Sequence, residues 1–402
     1  MKKVLILVEN LPSPFDRRVW QEANALRDAG YGVSIICPTG RGCEQKFESI
    51  DGIDIWRYDL PTEGEGALGY LVEYSVALAF TFLLSIRVFF GKGFDVIHAC
   101  NPPDLFFLIG GFWKLFGRKF LFDHHDANPE LYEAKFGRRD ALYRLMVLLE
   151  KLTFRTADVS LATNESYKRI AVTRGGMPPD KVFVVRSGPS LERMRVVPPD
   201  EKLKKGRRYL VGYVGVMGRQ EGIDLLLLAV KRIVLEKKRQ DVHFGLVGGG
   251  TSLQEMKDLA ASLGVADYVT FTGRAPDAEM LAMLNTADVC VNPDVANEMN
   301  DISTMNKIME YMALGKPVVQ FDLAEGRFSA REASLYARKN DVDDFAARIL
   351  ELLDDPEKRK AMGAFGRRRV VEELEWRYEA PKLLAAYRSL WPQKHTQVRP
   401  AT

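Results

Sequence analysis

The segment that decides the fold is Val4-Leu5-Ile6-Leu7-Val8, which is followed by a helical stretch at Arg18–Ala29 and a second apolar run at Val33–Cys37. A short apolar run bounded by polar residues is typical of a strand that is buried on both faces. Two such runs joined by an amphipathic helix form a β-α-β unit, whose strands are parallel. This segment therefore predicts a parallel sheet covered by helices.

The same alternation continues along the chain and then starts again in the second half. In the first half, further strands are predicted at Asp95–Ala99, Phe120–Phe122, Val159–Ala162 and Val182–Val185. In the second half they are predicted at Leu210–Val214, His243–Val247, Tyr268–Phe271, Val289–Asn292 and Pro317–Phe321. Helical periodicity between these strands predicts helices, among them Ala141–Arg155, Gly222–Glu236, Ser252–Leu263, Asp277–Asn285 and Ser303–Leu314.

This pattern predicts an α/β fold with two Rossmann-like, doubly wound domains that face a central cleft. We place an N-terminal domain at residues 1–192 and a Pro-rich, charged linker at 193–208. A C-terminal domain follows at 209–375, and a last helix is predicted at 376–392. Because ligands of such sheets bind beyond the carboxyl ends of the strands, we expect the site in the cleft.

Composition excludes several classes of protein. The 402 residues carry 57 Lys and Arg against 54 Asp and Glu, a net charge of +3, which argues against binding nucleic acid through bulk charge. The first apolar run is only five residues long, too short for the core of a signal peptide, so a cytoplasmic location is expected. Neither a disulfide framework nor a zinc site is indicated by the spacing of the four cysteines, Cys37, Cys43, Cys100 and Cys290.

One uncharged segment, Tyr74–Ile86, departs from the pattern of a soluble protein. Its thirteen residues are fewer than the roughly 20 that cross a bilayer, so a buried helix is the favoured interpretation. The alternatives are a helix that lies against a membrane face and a spanning helix. The nearby stretch from Phe106 to Lys119 is rich in aromatic and basic residues, a combination that suits an anionic membrane interface.

The stretch Asn300–Val319 has the features of a phosphate-binding helix. Ser303 can cap the start of a helix that ends at Gly315. Because this helix follows a predicted strand, its free N–H groups and positive dipole end lie at the carboxyl edge of the sheet, where they favour a phosphate.

Two charged residues of that helix, Lys307 and Glu310, are three positions apart and therefore share a face. A carboxylate one or two turns from a phosphate-binding helix start is well placed to accept hydrogen bonds from ribose hydroxyls. The alternative is a surface Lys–Glu pair on an amphipathic helix.

The motifs of the chain together resemble those of the family-four retaining glycosyltransferases of the GT-B fold. The strongest match is Glu310-Tyr311-Met312-Ala313-Leu314-Gly315-Lys316-Pro317-Val318-Val319, which is similar to the donor-binding signature of that family. Supporting matches are Val247-Gly248-Gly249-Gly250, Val269-Thr270-Phe271-Thr272-Gly273, Ala287–Pro293, Phe15–Ala23 and Asp123-His124-His125-Asp126.

The resemblance implies that the domain at 1–192 binds the acceptor, that the domain at 209–375 binds the nucleotide-sugar donor and that the helix at 376–392 returns to the first domain. It also implies roles for particular residues. Catalytic roles are expected for His125, Arg219, Asp301 and Glu310. Donor contacts are expected from Gly218, Gly248, Gly250, Ser303, Thr304, Lys307 and Glu310. Acceptor-side positions are Asp16, Arg17 and Asp126.

Within this scheme, Glu310 holds the ribose, and Asp301 or Asn300 takes the place of the first Glu of the family's acidic pair, where this chain has Ile302. Glu221 stands where the family usually has a Lys that grips the diphosphate, so Arg219 is expected to supply that charge. A solvated loop arginine is the alternative for Arg219. The loop around His125 can also be interpreted as a metal site, but it offers no third ligand.

The implied reaction is retaining transfer of a sugar from a nucleotide-diphosphate sugar, with UDP favoured as the nucleotide and no cofactor or metal ion. The acceptor implied is a lipid-linked saccharide of bacterial exopolysaccharide, O-antigen or capsule assembly. The protein is then expected to bind the surface of an anionic membrane as a peripheral protein. Two alternatives remain at this point: a nucleotide-sugar epimerase of the same architecture, and a non-catalytic nucleotide-sugar-binding subunit.

Overall fold

The computed structural model describes residues 1–40, 42–60 and 66–391, with residues 66–71 described by their backbone only. The chain forms two compact units. The first unit contains residues 1–129, 138–186 and those from 379 on, and the second contains residues 130–137 and 187–378. Each unit is built on its own sheet, as the restarting pattern of strands predicted.

The sheet of the first unit has eight strands in the order β3-β4-β2-β1-β5-β6-β7-β8. All neighbours are parallel except β3 and β4, which form a hairpin across Asp51 and Gly52. Both turn residues have positive φ, as a two-residue type I′ turn requires. The strands are β1 (Lys3–Leu7), β2 (Gly32–Pro38), β3 (Phe47–Ile50), β4 (Ile53–Tyr58), β5 (Val96–Cys100), β6 (Lys119–His124), β7 (Val159–Ala162) and β8 (Val182–Val184).

The helices that join these strands begin at short polar residues. The Asp16 carboxylate accepts from the Val19 N–H, and Asp140 and Asn164 cap later helices in the same way. The helices are α1 (Arg17–Asp28), α2 (Gly66–Gly91), α3 (Phe107–Lys114), α4 (Asn128–Phe136), α5 (Ala141–Thr156) and α6 (Glu165–Thr173), of which α4 crosses from the first unit into the second.

Helix α2 is longer and more exposed than the sequence analysis predicted. It spans 26 residues, and its stretch Val72–Gly91 is long and apolar enough to cross a membrane by length and composition, yet only 22% of its most apolar window is buried. Ala77, Thr81, Ser85 and Val88 are fully buried. The interpretation of Tyr74–Ile86 as a buried helix is therefore wrong, because apolar residues occupy every face of α2 and the sheet covers only one of them.

The sheet of the second unit has six strands, all parallel, in the order β11-β10-β9-β12-β13-β14. They are β9 (Tyr209–Val214), β10 (Val242–Val247), β11 (Val269–Gly273), β12 (Val289–Asn292), β13 (Val318–Phe321) and β14 (Ser334–Ala337). β9 and β12, which are adjacent in the sheet, are the point where the strand order reverses. Ligands of doubly wound sheets bind at such a point.

Helices cover both faces of this sheet and enclose two apolar clusters, one around Phe244 and Phe345 and the other around Tyr311 and Met312. The helices are α7 (Ile223–Lys231, continued by a π-helical turn at Arg232–Glu236), α8 (Leu253–Ser262), α9 (Asp277–Thr286), α10 (Glu298–Ile302), α11 (Asn306–Ala313), α12 (Ala324–Ala330), α13 (Val342–Asp354), α14 (Pro356–Arg369) and α15 (Trp376–Ser389).

The expected linker at 193–208 and the expected last helix at 376–392 belong mainly to different units. Residues 193–208, expected as a linker, lie in the second unit, where Met194 is 1% exposed and the Asp200 N–H donates to Thr286 Oγ1 at 2.8 Å. From Glu379 on, α15 belongs to the first unit, where the Tyr387 hydroxyl lies 2.7 Å from His98 Nδ1. Residue 392, the last of the expected helix, lies outside the described residues.

Candidate functional site

Two loops meet at the carboxyl ends of β9 and β10. Met217 N–H donates to the Gly249 carbonyl at 2.9 Å, so the backbones of the loops are in direct contact. A Cβ on Gly248 would lie 1.8 Å from the Gly215 carbonyl oxygen, and one on Gly250 would lie 2.5 Å from the Met217 carbonyl oxygen. Both glycines also have positive φ. Whatever they contribute to a donor, Gly248 and Gly250 are required by the close approach of these loops.

Lys307 lies in α11 with its ammonium between two carboxylates, an arrangement that we call the Lys307 cluster. Its Nζ is 2.7 Å from Asp294 Oδ1 and 2.8 Å from Glu221 Oε2, and it lies over the Tyr213 ring. The second carboxylate oxygen of Asp294 is buried without a hydrogen-bond partner. The charge of Lys307 was expected to help bind phosphate. In the structure it is paired with Glu221, which stands where the family usually has a Lys.

Burial shifts the pKa values within the Lys307 cluster. It raises the pKa of Asp294 to about 7, although the attraction of Lys307 acts in the opposite direction. Burial also opposes the charge on Lys307, but attraction to Asp294 outweighs it and raises the Lys307 pKa. Asp294 therefore gains or loses a proton near neutral pH while Lys307 stays charged.

Glu310 is held by an arginine from the segment expected to be a linker. Arg193 Nη1 donates to Glu310 Oε1 at 2.7 Å, and its Nε and Nη2 donate to the two carboxylate oxygens of Asp277 at 2.8 and 3.1 Å. The fork of a guanidinium suits this double contact, which fixes the Glu310 side chain. Glu310 and Lys307 lie on the same helix, as the sequence analysis predicted.

Three further residues near the carboxyl edge of this sheet, Asp301, Asn300 and Arg219, have other partners or none among the described residues. Asp301 pairs with Lys339 at 3.0 Å and accepts from the Ala324 N–H at 3.1 Å. Asn300 is buried and donates to the Gln220 and Val295 carbonyls. Arg219 is exposed in the turn that Gly218 begins, and its guanidinium pairs with none of the described residues.

The expected cap at Ser303 is wrong. α11 begins at Asn306, and the preceding residues form the separate short helix α10. Ser303 follows α10, and its hydroxyl donates back to the Met299 carbonyl at 2.7 Å, while Met305 is the N-cap residue of α11. Thr304 lies half-buried between the two helices.

In the first unit, a buried group at the carboxyl ends of β5 and β6 surrounds Arg18, and we call it the Arg18 cluster. Arg18 Nη2 lies 2.9 Å from Asp123 Oδ1 and 3.1 Å from Glu22 Oε1, and its Nη1 donates to the Val185 carbonyl. Two histidines complete the cluster: His125 Nε2 is 2.6 Å and His98 Nε2 is 3.4 Å from Asp123 Oδ2.

The pKa values of the two acids of the Arg18 cluster are shifted in opposite directions. Burial opposes the charge on Asp123, but attraction to Arg18 and His125 outweighs burial and holds the Asp123 pKa well below its usual value. For Glu22 burial dominates and raises the pKa well above its usual value. Burial thus favours the protonated form of Glu22, whereas the neighbouring guanidinium favours the ionised form of Asp123.

Three acceptor-side residues were predicted around this cluster. Asp16 caps α1 through its side chain, and Arg17 follows it on the exposed side of the helix. Asp126 follows His125, and its carbonyl accepts from Asn101 Nδ2 at 2.7 Å. The side chain of Asp16 therefore serves to cap α1, and the backbone of Asp126 is held by Asn101.

Two overlapping groups in the Arg18 cluster have the spacing of metal ligands: His98, Cys100 and Asp123, and Glu22, Asp123 and His125. The residues do not fit a cation, because the Arg18 guanidinium already occupies the Asp123 carboxylate that both groups share. We derive no chemistry from a metal ion here.

The residues of these sites that sequence reasoning missed include Arg18, Asp123, Arg193 and Asp294. Three of them had a visible signal. Asp123 and Asp294 follow or end predicted strands, and Arg18 belongs to a motif from which only Asp16 and Arg17 were chosen. Arg193 had none, because it contacts Glu310 across 117 positions of sequence.

Two family models match the chain. "Glycosyl transferase 4-like domain" matches residues 16–188, and "Glycosyl transferases group 1" matches residues 208–355. Together they cover most of both units. The chain belongs to the group 1, family-four-like glycosyltransferases of the GT-B fold.

Curated relatives match parts of the chain. The GDP-mannose-dependent alpha-(1-6)-phosphatidylinositol monomannoside mannosyltransferase of Mycolicibacterium smegmatis is 29% identical over 211 residues, 48% of this chain and 53% of that protein. The D-inositol 3-phosphate glycosyltransferase of Thermobispora bispora is 27% identical over 268 residues, 63% of this chain and 61% of that protein. The matched region thus spans less than two thirds of either relative.

Solved structures share the fold over nearly the whole chain. Sucrose-phosphate synthase from Thermosynechococcus elongatus has a TM-score of 0.77 at 19% identity and covers 97% of this chain and 99% of its own. Anabaena HepE in complex with UDP-glucose has a TM-score of 0.72 at 16% identity and covers 97% of this chain and 100% of its own. The predicted pair of doubly wound domains is confirmed.

Proposed function

We propose that this chain is a retaining glycosyltransferase that moves a hexosyl or N-acetylhexosaminyl group from a nucleotide-diphosphate sugar to a hydroxyl of an acceptor. The observation that carries the proposal is that Arg193 holds the carboxylate of Glu310, which shares helix α11 with Lys307. This helix lies at the point where the strand order of the sheet reverses. A fixed carboxylate beside a cation suits a ribose next to a phosphate.

In the proposed reaction, the bond between the anomeric carbon and the phosphate oxygen breaks, and the acceptor oxygen bonds to the same face of that carbon. The acceptor proton passes to the leaving phosphate. Glu310 orients the nucleotide by accepting from ribose hydroxyls, and Arg219 stabilises the negative charge that develops on the phosphate. Loss of one such preorganised donor typically costs about 2.7–4 kcal/mol of barrier.

Lys307 contributes to phosphate binding by exchanging one of its present partners. Glu221 is 18% exposed and Asp294 only 1%, so Glu221 is the carboxylate that can leave Lys307 when a phosphate arrives. Asp294 then keeps the ammonium in place. The proposal requires no cofactor and no metal ion beyond the nucleotide sugar itself.

Replacing the two residues with the clearest donor roles tests this assignment. E310A and R219A are each expected to lower donor turnover more than tenfold, measured by mass spectrometry of the products, with the fold retained by circular dichroism. E332A, which removes an exposed carboxylate of the second unit, is the matched control. Near-normal kinetics in both site variants would contradict the assignment.

The nucleotide of the donor is proposed to be UDP. HepE was solved with UDP-glucose, whereas the mycobacterial relative is named for GDP-mannose, so the two comparisons favour different bases. Thermal-shift screening of UDP-, GDP- and dTDP-sugars would identify the base. Release of an epimerised sugar nucleotide in the absence of an acceptor would identify an epimerase instead.

The acceptor is proposed to be a lipid-linked saccharide of bacterial surface-polysaccharide assembly, reached at the inner face of the cell membrane by a cytoplasmic protein. An apolar face on three adjacent helices of the first unit supports this. Its exposed members are Phe80, Leu83 and Phe90 of α2, Leu108 of α3 with Leu115 and Phe116 just beyond it, and Leu142, Leu145 and Leu148 of α5.

These helices lie side by side, because the Trp113 indole donates to Ser85 Oγ at 2.9 Å and α3 packs against α5. A groove of about 380 Å³ between α2 and α3 is lined by Leu78, Phe82 and Phe112, among others. Leu115 and Phe90 are 82% and 81% exposed, which is unusual for large apolar side chains.

Basic residues border this apolar face. Arg144, Lys151 and Arg155 follow one stripe of α5 beside Leu148, and none of them pairs with a carboxylate of the described residues. An amphipathic helix with leucines and free cations suits a bilayer that carries anionic headgroups. We therefore propose that the face rests in the lipid surface that presents the acceptor.

Flotation with vesicles tests the membrane contact. Wild type is expected to float with phosphatidylglycerol-containing vesicles and less with neutral ones. L145E/L148E is expected to stay at the bottom, whereas L228E, which changes an exposed leucine of α7, is expected to float as wild type does. Absence of wild-type binding to anionic vesicles, with the fold intact, would favour a water-soluble acceptor.

A further inference from the structure

The groove between α2 and α3 is formed by one stripe of each helix. It encloses about 380 Å³ and is lined by Ser75, Leu78, Ala79 and Phe82 of α2 and by Leu108, Ile109 and Phe112 of α3. The α2 residues have the i, i+3, i+4, i+7 spacing of a single helix face. Among the described residues, none that lines the groove is charged, and Ser75 is the one that carries a hydroxyl. The groove therefore suits an apolar ligand.

The groove is elongated, as the site of a chain would be. Ser75 and Phe82 are seven positions apart on α2, which corresponds to about 10 Å at the rise of an α-helix. At one end the rings of Phe82 and Phe112 pack edge to face with their centroids 5.0 Å apart, so the two helices meet there. Ser75 lies at the other end.

Both helices begin at the carboxyl edge of the sheet of the first unit. α2 connects β4 to β5, and because these strands run in the same direction, it must return from the carboxyl end of β4 to the amino end of β5. α3 follows the carboxyl end of β5. Ser75 and Leu108 belong to the first halves of their helices, so the Ser75 end of the groove points to the edge where His125 follows β6.

The groove also opens on the apolar face formed by α2, α3 and α5. Leu108 and Phe112 line the groove and are 51% and 36% exposed, and Phe80 and Leu83 are exposed neighbours on α2. The groove is thus continuous with the surface that is proposed to contact lipid. A chain that lies in it can remain in contact with the hydrocarbon of the bilayer.

The carboxyl edge carries a charge that suits an anionic headgroup. α5 packs against α3 and ends just before the amino end of β7, so α5 also begins at the carboxyl edge. Its fourth residue is Arg144, which is exposed and pairs with no carboxylate of the described residues. The groove therefore leads from an apolar face to an edge with an available cation, an arrangement that matches a lipid with an anionic headgroup.

We propose that this groove binds the hydrocarbon chain of the lipid-linked acceptor, with the chain between α2 and α3 and the headgroup at the carboxyl edge. That this lipid is the acceptor rests on the proposed function. Contact with the bilayer brings the protein to lipids of every kind. The groove instead holds one chain in a fixed register with the edge of the sheet at which the acceptor is expected.

Single-chain phosphates test the groove without any nucleotide sugar. Calorimetric titration gives the Kd of butyl, hexyl and octyl phosphate, each kept below its critical micelle concentration. Each methylene that moves from water into an apolar site raises affinity about fourfold, so octyl phosphate is expected to bind more than tenfold more tightly than butyl phosphate. Absence of binding, or equal affinity across the series, would overturn the proposal.

Two tryptophan variants of α2 separate the groove from the surface around it. Ala79 lines the groove, so A79W occupies the space of the chain and should weaken the binding of octyl phosphate at least tenfold. Leu83 is 61% exposed on the same helix and does not line the groove, so L83W should bind within twofold of wild type. Wild-type affinity in folded A79W, or an equal loss in both variants, would contradict the proposal. If A79W does not fold, L108W narrows the groove from the side of α3 and replaces it.

Flotation separates the groove from the membrane contact. L145E/L148E is expected to bind octyl phosphate as wild type does although it no longer floats, and A79W is expected to float. Loss of octyl phosphate binding in L145E/L148E would overturn the groove as a separate site. Chain binding by a protein that transfers no sugar from any donor would count against the proposed function and leave the groove standing. A Kd independent of chain length in an active transferase would overturn the groove alone.

Discussion

The Arg18 and Lys307 clusters are two solutions to the same problem, a basic side chain between two acidic side chains at the carboxyl edge of a sheet. Arg18 donates to Asp123 through two nitrogens and also reaches a backbone carbonyl. Lys307 makes one contact with each of its two partners and leaves the second oxygen of Asp294 unpaired. A guanidinium thus holds several oxygens in fixed geometry, whereas an ammonium is a point charge.

The two clusters also differ in how they hold protons. Glu22 and Asp123 have pKa values displaced in opposite directions, upward for Glu22 through burial and downward for Asp123 through the attraction of Arg18. Asp294 has its pKa near neutrality, so the charge of the Lys307 cluster changes under ordinary conditions. The first arrangement suits the positioning of a histidine, and the second suits a cation that changes partners.

The largest expected difference between the clusters is in stability. R18M leaves a buried carboxylate without its cation and should destabilise the first unit by about 3–5 kcal/mol. K307M should cost less, because Asp294 can take up a proton near neutral pH. Hydrogen exchange of peptides from β6 and β12 measures the two effects separately. Equal losses in both variants would show that the clusters are energetically alike.

The next prediction concerns the pH dependence of stability in the first unit. Asp104 is a buried acid of this unit that lies outside the Arg18 cluster, and its hydrogen-bond partners Asn128 and Asn101 carry no charge. Burial and then Glu150 raise its pKa to about 7, while Asn128 and Asn101 donate to it. Because the folded state holds the proton more tightly than the unfolded one, the wild type should lose stability as pH rises from about 4 to 7.

Compared with D104N, which mimics the protonated acid, that loss should amount to at most about 1.4 kcal/mol per pH unit. Urea unfolding of both proteins at several pH values checks this. The comparison cancels the opposite contribution of His124, whose pKa burial lowers to about 3. A difference that is independent of pH would show that Asp104 is ionised in the folded protein throughout.

A smaller effect is expected from Glu221, the exposed partner of Lys307. E221Q removes one of the two charges that compete with a phosphate, so the donor KM should fall about two- to tenfold, on the order of 1 kcal/mol, with little change in kcat. E236Q removes a carboxylate that pairs with Arg232 on the surface and is the control. A higher KM for E221Q would show that Glu221 helps to bind the donor.

The smallest predicted effect is the dependence of donor binding on pH. Asp294 is protonated below about pH 7, which leaves more of the Lys307 charge for a phosphate, so donor Kd should be lower at pH 6 than at pH 8. The other groups that face Lys307 are Glu221, Tyr213 and Tyr311. Calorimetric titration should find this dependence reduced in D294N. An equal dependence in D294N would assign it to another group.

Sequence predicted the two sheets well because buried parallel strands appear as continuous apolar runs. Val159–Ala162 and Val289–Asn292 were placed without error. Strands β3, β4 and β14 were missed, since they are short or partly polar and β3–β4 is a hairpin, although the Asp51-Gly52 turn signal was present. α2 was misjudged because composition does not show how much of an apolar helix the sheet covers.

Site residues were predicted where the signal is local. Lys307 and Glu310 share a helix, and spacing alone shows it. Their partners come from other loops, and no spacing rule connects Arg193 to Glu310 or Asp294 to Lys307. The cap at Ser303 was mistaken for a similar reason, because the chain forms α10 just before it and the hydroxyl bonds to that helix.

The contact of α15 with the first unit has a consequence for the order of synthesis. The strands that surround His98 are made early, but Tyr387, which meets the His98 ring, follows the whole second unit. A nascent chain that has completed both sheets still lacks this hydroxyl and the Trp391 ring that lies under Lys2. The unit that is translated first is therefore the last to be completed.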